Sequence, residues 1–170
     1  MANTFNKIAT VTVGSGGAST IDFNSIPSTF TDLVVLMSAR SNRSGVNDLI
    51  YMKPNSATTG NSRINLLGDG SSVASYSGTN FETGVINATG STSSCFSNLE
   101  IYICNYANTS KYKSWSTNGV IENNGTTAVQ TMYANLWSST SAITSLSFDL
   151  FVYGPFLQYS TATLYGIKNS

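Results

Sequence analysis

The chain has 170 residues and a mass of 18.0 kDa, enough for one domain with a hydrophobic core. Ser, Thr and Asn make up 66 of the 170 residues, whereas Asp, Glu, Lys and Arg supply only 9%. The 8 basic and 8 acidic residues cancel, which argues against nucleic-acid or anionic-membrane partners. Histidine is absent, which excludes catalysis by an imidazole and removes the commonest zinc ligand.

Apolar alternation with a period of two recurs along the chain, and no segment keeps a helical pattern for three turns. The pattern predicts a strand from Phe5 to Val13 and another around Ile21 and Phe23, joined as a hairpin by the turn Gly14 to Gly17. After the corner IPSTFTD, the apolar run that begins at Leu33 predicts a strand covered on both faces, in the centre of a sheet. Shorter strands are predicted at 49–53, 63–67, 73–77 and 81–88.

The second half of the chain has the clearer strand pattern. Further strands are predicted at 96–106, 112–121, 128–137, 143–153 and 158–167. One core between two sheets is predicted to contain Leu33, Val35, Leu99, Ile101, Ile103 and Val129. The last strand carries Leu164 and Ile167 close to the terminus, so we predict that it is an integral strand, with the strand Phe5 to Val13 as a candidate neighbour.

The number and spacing of these strands predict the fold class. Ten or eleven short strands indicate an all-β fold, an antiparallel β-sandwich that is jelly-roll-like, in a single domain over residues 1–170. The N-terminus lacks the pattern of a secretory signal, and the longest apolar run, Leu33 to Met37, is too short to span a bilayer. We therefore expect synthesis in a cytoplasm and no membrane partner.

The residues that could carry chemistry form no catalytic or metal-binding pattern. Cys95 and Cys104 lie in one predicted strand, about 30 Å apart, which is too far for a disulfide. No spacing among the eight carboxylates selects an acid–base pair, and no calcium loop or phosphate loop is present. We predict no enzymatic activity, no cofactor and no metal site.

Two aromatic clusters in weakly charged segments are the candidate functional site. The candidate interface residues are Tyr106, Tyr112, Trp115, Tyr153, Phe156 and Tyr159. Such residues fill a sandwich core, anchor a protein interface or stack on sugar rings. The sequence leaves these three alternatives open.

Three segments carry a family resemblance: IPSTFTDLVVLMSARS, IYICNYANTSKYKSWSTNGVIENN and QYSTATLYGI. They resemble small virion structural proteins of tailed bacteriophages, and the resemblance covers most of the chain. It implies a jelly-roll-like β-sandwich on the outside of a virion, as a capsid decoration (cement) protein or as the head of a fibre.

The resulting hypothesis is a non-enzymatic capsid decoration protein that binds the major capsid protein as a homotrimer. No heptad repeat or shaft-like segment favours a fibre, and uncharged surfaces suit assembly because they cost little desolvation. The expected location is the virion surface, after synthesis in the host cytoplasm and release by lysis. The alternative is a receptor-binding fibre or tail-tip head that recognises host cell-surface glycan.

Overall fold

The structure, a computed structural model, describes residues 5–125, 127–151 and 154–168. These residues form no helix and twelve strands, where ten or eleven were expected. The strands are β1 Phe5–Thr12, β2 Ile21–Phe23, β3 Asp32–Ala39, β4 Asn47–Pro54, β5 Asn61–Gly68, β6 Val73–Gly78, β7 Glu82–Asn87, β8 Ser97–Ile103, β9 Lys113–Glu122, β10 Ala128–Trp137, β11 Leu146–Leu150 and β12 Thr161–Ile167.

The strands form two antiparallel sheets, which confirms the predicted all-β fold of the sandwich type. The larger sheet has the order β1-β12-β3-β8-β9-β10-β5-β6, and the smaller has the order β2-β11-β4-β7. The jelly-roll-like connection of the strands stays a prediction. The interior position predicted for the strand at Leu33 is confirmed, since β3 lies between β12 and β8. Its predicted coverage on both faces is wrong, because Leu36 and Ser38 are exposed on the outer face of the sheet.

The two ends of the chain meet in the larger sheet, but the predicted N-terminal hairpin is wrong. β12 pairs with β1 on one side and β3 on the other, which confirms an integral C-terminal strand beside the first strand. β1 and β2 lie in different sheets, and β2 pairs with β11. The glycine-rich turn carries the chain from the larger sheet to the smaller one, where Ile21 and Phe23 are buried in the main core.

The main core lies between the sheets and contains five of the six residues predicted for it. These five are Leu33, Val35, Leu99, Ile101 and Ile103, all without exposed surface. The sixth, Val129, is buried in a second and smaller cluster with Val85, Ile121 and Tyr133. The prediction of a single core is therefore wrong for Val129, and β7 explains why.

Strand β7 is an edge of the smaller sheet, yet it is buried at all six positions. On one side, a Cβ at Gly84 would lie 3.1 Å from Leu99 Cδ2 in the main core. On the other side, Val85 packs against Ile121 and Val129 of β9 and β10. The larger sheet therefore curls around the β7 edge, and its last strand, β6, is exposed at four of six residues.

The two cysteines are free and half-buried, which confirms that they do not pair with each other. Cys95 precedes β8 and Cys104 follows it, so the strand separates the two thiols. No helix in the described part of the chain is long and apolar enough to cross a membrane.

Candidate functional site

Three of the six aromatic residues predicted at an interface are core residues. The Tyr106 hydroxyl donates to the carbonyl of Pro27, and the indole Nε1 of Trp115 donates to Thr83 Oγ1 at 3.0 Å. Phe156 has no exposed surface. All three rings belong to the main core, so they are enclosed by the chain itself and offer no surface to a partner. The interface role predicted for Phe156 is wrong for this reason.

Two of the remaining candidates are accessible. Tyr112, before β9, is 60% exposed, and Tyr159, before β12, is 69% exposed. Tyr153 lies outside the described residues. Tyr112 and Tyr159 therefore remain candidates for contact with a protein partner.

A groove of about 340 Å³ lies between the outer face of β4 and the inner face of β5 and β6. We name it the Arg63 groove. Its lining includes Asn47, Leu49, Arg63, Asn65, Tyr76 and Glu82. Polar groups and apolar walls converge in it, as they do in binding pockets for small molecules.

A buried ion pair lines the Arg63 groove. Arg63 Nη2 lies 2.5 Å from Glu82 Oε2, and the two side chains are 10% and 6% exposed. Glu82 Oε1 accepts the Tyr133 hydroxyl at 2.8 Å. Burial and the neighbouring Glu82 carboxylate raise the pKa of Tyr133 well above its ordinary value, so the phenol stays a donor.

The Arg63 groove is lined by one carboxylate, that of Glu82. Both oxygens of Glu82 are engaged, and no second carboxylate among the described residues lines the groove. A glycosidase needs two carboxyl groups on either side of its substrate. Among the described residues, no group of three or more acidic or cysteine side chains is placed to hold a metal ion.

One amide donor faces the groove without a protein partner. Arg63 Nη1 donates to Asn65 Oδ1 at 2.5 Å, and Arg63 Nε donates to Asn80 Oδ1 at 2.6 Å. Asn65 is only 6% exposed, and its Nδ2 donates to no atom of the described residues. Tyr76 stands directly opposite Asn65 on β6 and is 57% exposed. An aromatic ring and an unused donor therefore lie side by side.

Strand β5 is inverted relative to its hydrophobic pattern. Arg63 and Asn65 point inward, whereas Ile64 and Leu66 are exposed on the outer face of the larger sheet. Met132, also exposed, stands opposite Leu66 on β10. We name this surface the β5–β10 face, formed by Ile64, Leu66, Met132 and Leu136.

The β5–β10 face carries no charge. The residues paired with it across the strands are Ser62, Ser75, Ser77, Ser114, Asn118 and Ala134. An exposed aliphatic surface without charge is typical of an interface with another protein.

The two edge strands of the larger sheet differ in how well they are protected against pairing with a strand of another chain. At β1 the pairing shifts register between Lys7 and Ala9, and a bulge and a lysine both discourage pairing with another chain. At β6, VASYSG pairs with β5 over six residues without a shift and contains neither charge nor proline. The β6 edge, next to the β5–β10 face, is therefore the one open to a further strand.

No family model, no curated protein and no solved structure matches the chain. The surfaces described above, together with the sequence, are what bears on its function.

Proposed function

We propose that the protein is a non-enzymatic structural protein of a bacteriophage virion. Its role is that of a capsid decoration (cement) protein, which binds the major capsid protein and stabilises its lattice as a homotrimer. The virion and capsid parts of the proposal rest on the sequence resemblance. The self-association part is supported by the β5–β10 face.

The inverted pattern of β5 is the observation that supports assembly. Exposing Ile64 and Leu66 while burying Arg63 is unfavourable for an isolated chain, because apolar area in water costs about 25 cal/mol per Å². A partner that covers the outer face removes that cost. The β5–β10 face has no charged residue, so a partner that covers it does not have to remove an ion from water.

A second copy of the same chain is the proposed occupant. In a closed three-fold assembly each copy contributes two different patches. The β5–β10 face and the β6 edge adjoin each other and provide two such patches. The exposed Tyr112 and Tyr159 are left for contact with the major capsid protein.

Measurement of the solution mass tests this assembly. We expect a trimer for the natural chain and a monomer for Leu66→Lys at the same concentration. Leu36→Lys is the matched control, because Leu36 is 42% exposed on the same sheet face and Leu66 is 45% exposed. A natural chain that is strictly monomeric, or a Leu66→Lys variant that stays trimeric, would contradict the proposal.

Counting copies per particle tests the capsid role. Purified virions should contain the protein in hundreds of copies, and the protein should bind saturably to capsids that lack it. A low copy number confined to tails would instead support the second candidate, a receptor-binding fibre or tail-tip head. The Arg63 groove favours that candidate, because a groove with an exposed tyrosine suits recognition of a glycan.

A further inference from the structure

We propose that the Arg63 groove binds a neutral saccharide. The groove is formed within one chain, so the inference depends neither on trimer formation nor on attachment to a capsid. Its volume of about 340 Å³ lies at the lower end of the range found for small-molecule sites. Such a site holds one or two sugar rings of a longer chain, not an enclosed cofactor.

Asn65 supplies an oriented donor for a sugar hydroxyl. Its Oδ1 accepts from Arg63 Nη1, and this contact decides which end of the amide faces the guanidinium. The Nδ2 hydrogens are then directed away from Arg63, and they have no acceptor among the described residues. A ligand oxygen would satisfy a donor on a side chain that is otherwise buried.

Tyr76 supplies the stacking surface. It is opposite Asn65 in the β5–β6 register, which places the two side chains on one side of the sheet about 5 Å apart at Cβ. The face of an aromatic ring is electronegative and attracts the C–H hydrogens of a sugar ring. One sugar ring can therefore stack on Tyr76 while its hydroxyl accepts from Asn65.

The charges of the groove favour a neutral ligand. Arg63 and Glu82 pair with each other, and the other nitrogens of Arg63 engage Asn65 and Asn80. A phosphate or carboxylate ligand would need a cation that is free to pair with it. Because each nitrogen of the guanidinium already has a partner and its charge is paired with Glu82, we expect recognition to come from neutral hydrogen bonds and stacking.

The rival occupant is a proline-rich peptide, which also docks on aromatic grooves. Peptide grooves of that kind present several exposed aromatic rings in a row. Here Tyr76 is exposed while Tyr133 is buried with its hydroxyl bound to Glu82. One exposed aromatic ring, Tyr76, beside the Asn65 amide fits a sugar ring better than an extended peptide.

The experiment uses an array of bacterial surface polysaccharides together with maltohexaose, cellohexaose, chitohexaose and mannohexaose. Isothermal titration then measures each binder at about 50 and about 500 mM NaCl, salt concentrations that differ strongly in charge screening. We expect saturable binding to at least one neutral saccharide. Its Kd should change less than about twofold between the two salt concentrations.

Two variants locate the site. Asn65→Asp keeps an acceptor for Arg63 but removes the donor, and Tyr76→Ala removes the ring; each should weaken binding at least about tenfold, which corresponds to about 1.4 kcal/mol. Tyr112→Ala is the matched control, because Tyr112 and Tyr76 are 60% and 57% exposed on different segments. Thermal melts confirm folding, and Tyr76→Ala keeps the test valid if Asn65→Asp does not fold.

Three results would overturn the inference. One is the absence of saturable binding to any saccharide of the array and the panel. Another is binding that Tyr112→Ala abolishes and Tyr76→Ala leaves intact, which would move the site to the loop before β9. The third is tight binding of a proline-rich peptide, with no saccharide bound.

Discussion

Phe156 ties two distant segments of the chain to the main core. Its nitrogen donates to the Ala18 carbonyl at 2.8 Å, and the Ala18 nitrogen donates to the Phe156 carbonyl at 3.1 Å. We predict that Phe156→Ala lowers the free energy of unfolding by about 3–5 kcal/mol, as loss of a buried phenyl ring does. Tyr159→Ala, at an exposed position, should change it by less than about 0.5 kcal/mol. Urea denaturation measures both, and similar losses would contradict the burial of Phe156.

Arg63 neutralises a carboxylate that has almost no access to water. Removing one partner of a buried ion pair costs about 3–5 kcal/mol, because the other charge stays behind without compensation. We predict a loss of this size for Arg63→Met, with Glu82 left unpaired. Adding Glu82→Gln should recover part of it, since the amide is neutral and still accepts from Tyr133.

A double-mutant cycle by urea denaturation measures this coupling. Losses that add without any recovery in the double variant would show that Arg63 and Glu82 do not stabilise each other.

At the scale of the element, β12 determines whether the larger sheet forms. It pairs with β1 and β3, and it buries Ala162 and Leu164 without exposed surface. Its Gly166 lies against Phe30, where an added Cβ would lie 2.3 Å from the ring. The strand is therefore shaped to its neighbours on both sides and on its inner face.

We predict that a chain ending at residue 158 gives no soluble folded protein, because β3 loses one of its two neighbours and β1 loses the neighbour that it has among the described strands. A chain that lacks only residues 169–170, beyond the strand, is the control and should fold. Circular dichroism and gel filtration distinguish the two chains. Normal folding of the shorter chain would mean that β12 is dispensable.

The sequence predicted the strands well where one face is consistently apolar. In β8 the alternation of Leu99, Ile101 and Ile103 with polar residues matches their burial, because a strand with one face in the core repeats every two residues. In β5 the same reasoning would place Ile64 and Leu66 inside, whereas they face outward. Pairing with β10 and β6 decides the orientation of β5, and local sequence does not contain that information.

The candidate site was predictable only in part, for the same reason. The Arg63 groove joins residues of β4, β5, β6, β7 and β10, and pairings between distant strands bring them together. The signal available in the sequence was one arginine, Arg63, inside a predicted strand of a chain with few charges. Conversely, Tyr106 and Phe156 lie next to polar loops but are buried in the core. An aromatic residue beside a loop can cover the end of the core, and the sequence does not distinguish this role from an exposed one.

At the scale of the whole molecule, the unequal sheets explain both surfaces. Eight strands cannot all be covered by the inner face of four, so the larger sheet extends around β7 and places β5 and β6 opposite the outer face of β4. The inner side of that extension forms the Arg63 groove, and the outer side forms the β5–β10 face. The proposed self-association surface and the proposed saccharide groove lie on opposite sides of the same strands, so occupation of one would leave the other accessible.

The response of the whole molecule to pH follows from which side chains titrate. No histidine is present, so we predict a level free energy of unfolding between about pH 6 and pH 8. At alkaline pH the tyrosines dominate the pH dependence of the free energy of unfolding. The hydrogen bond to Asp32 raises the pKa of Tyr102 to about 12, and burial raises the pKa of Tyr133, Tyr106 and Tyr51.

Each of these phenols keeps its proton in the folded state after the unfolded chain has begun to lose it, near pH 10. The folded state then binds more protons, so the free energy of unfolding falls as pH rises above about 10. Burial lowers the pKa of Lys113, which acts in the opposite direction, but one lysine opposes four tyrosines. Urea denaturation at pH 6, 8, 10 and 11 measures the profile, and Tyr102→Phe should make the alkaline decline shallower. A free energy of unfolding that rises above pH 10 would show that Lys113 outweighs the tyrosines.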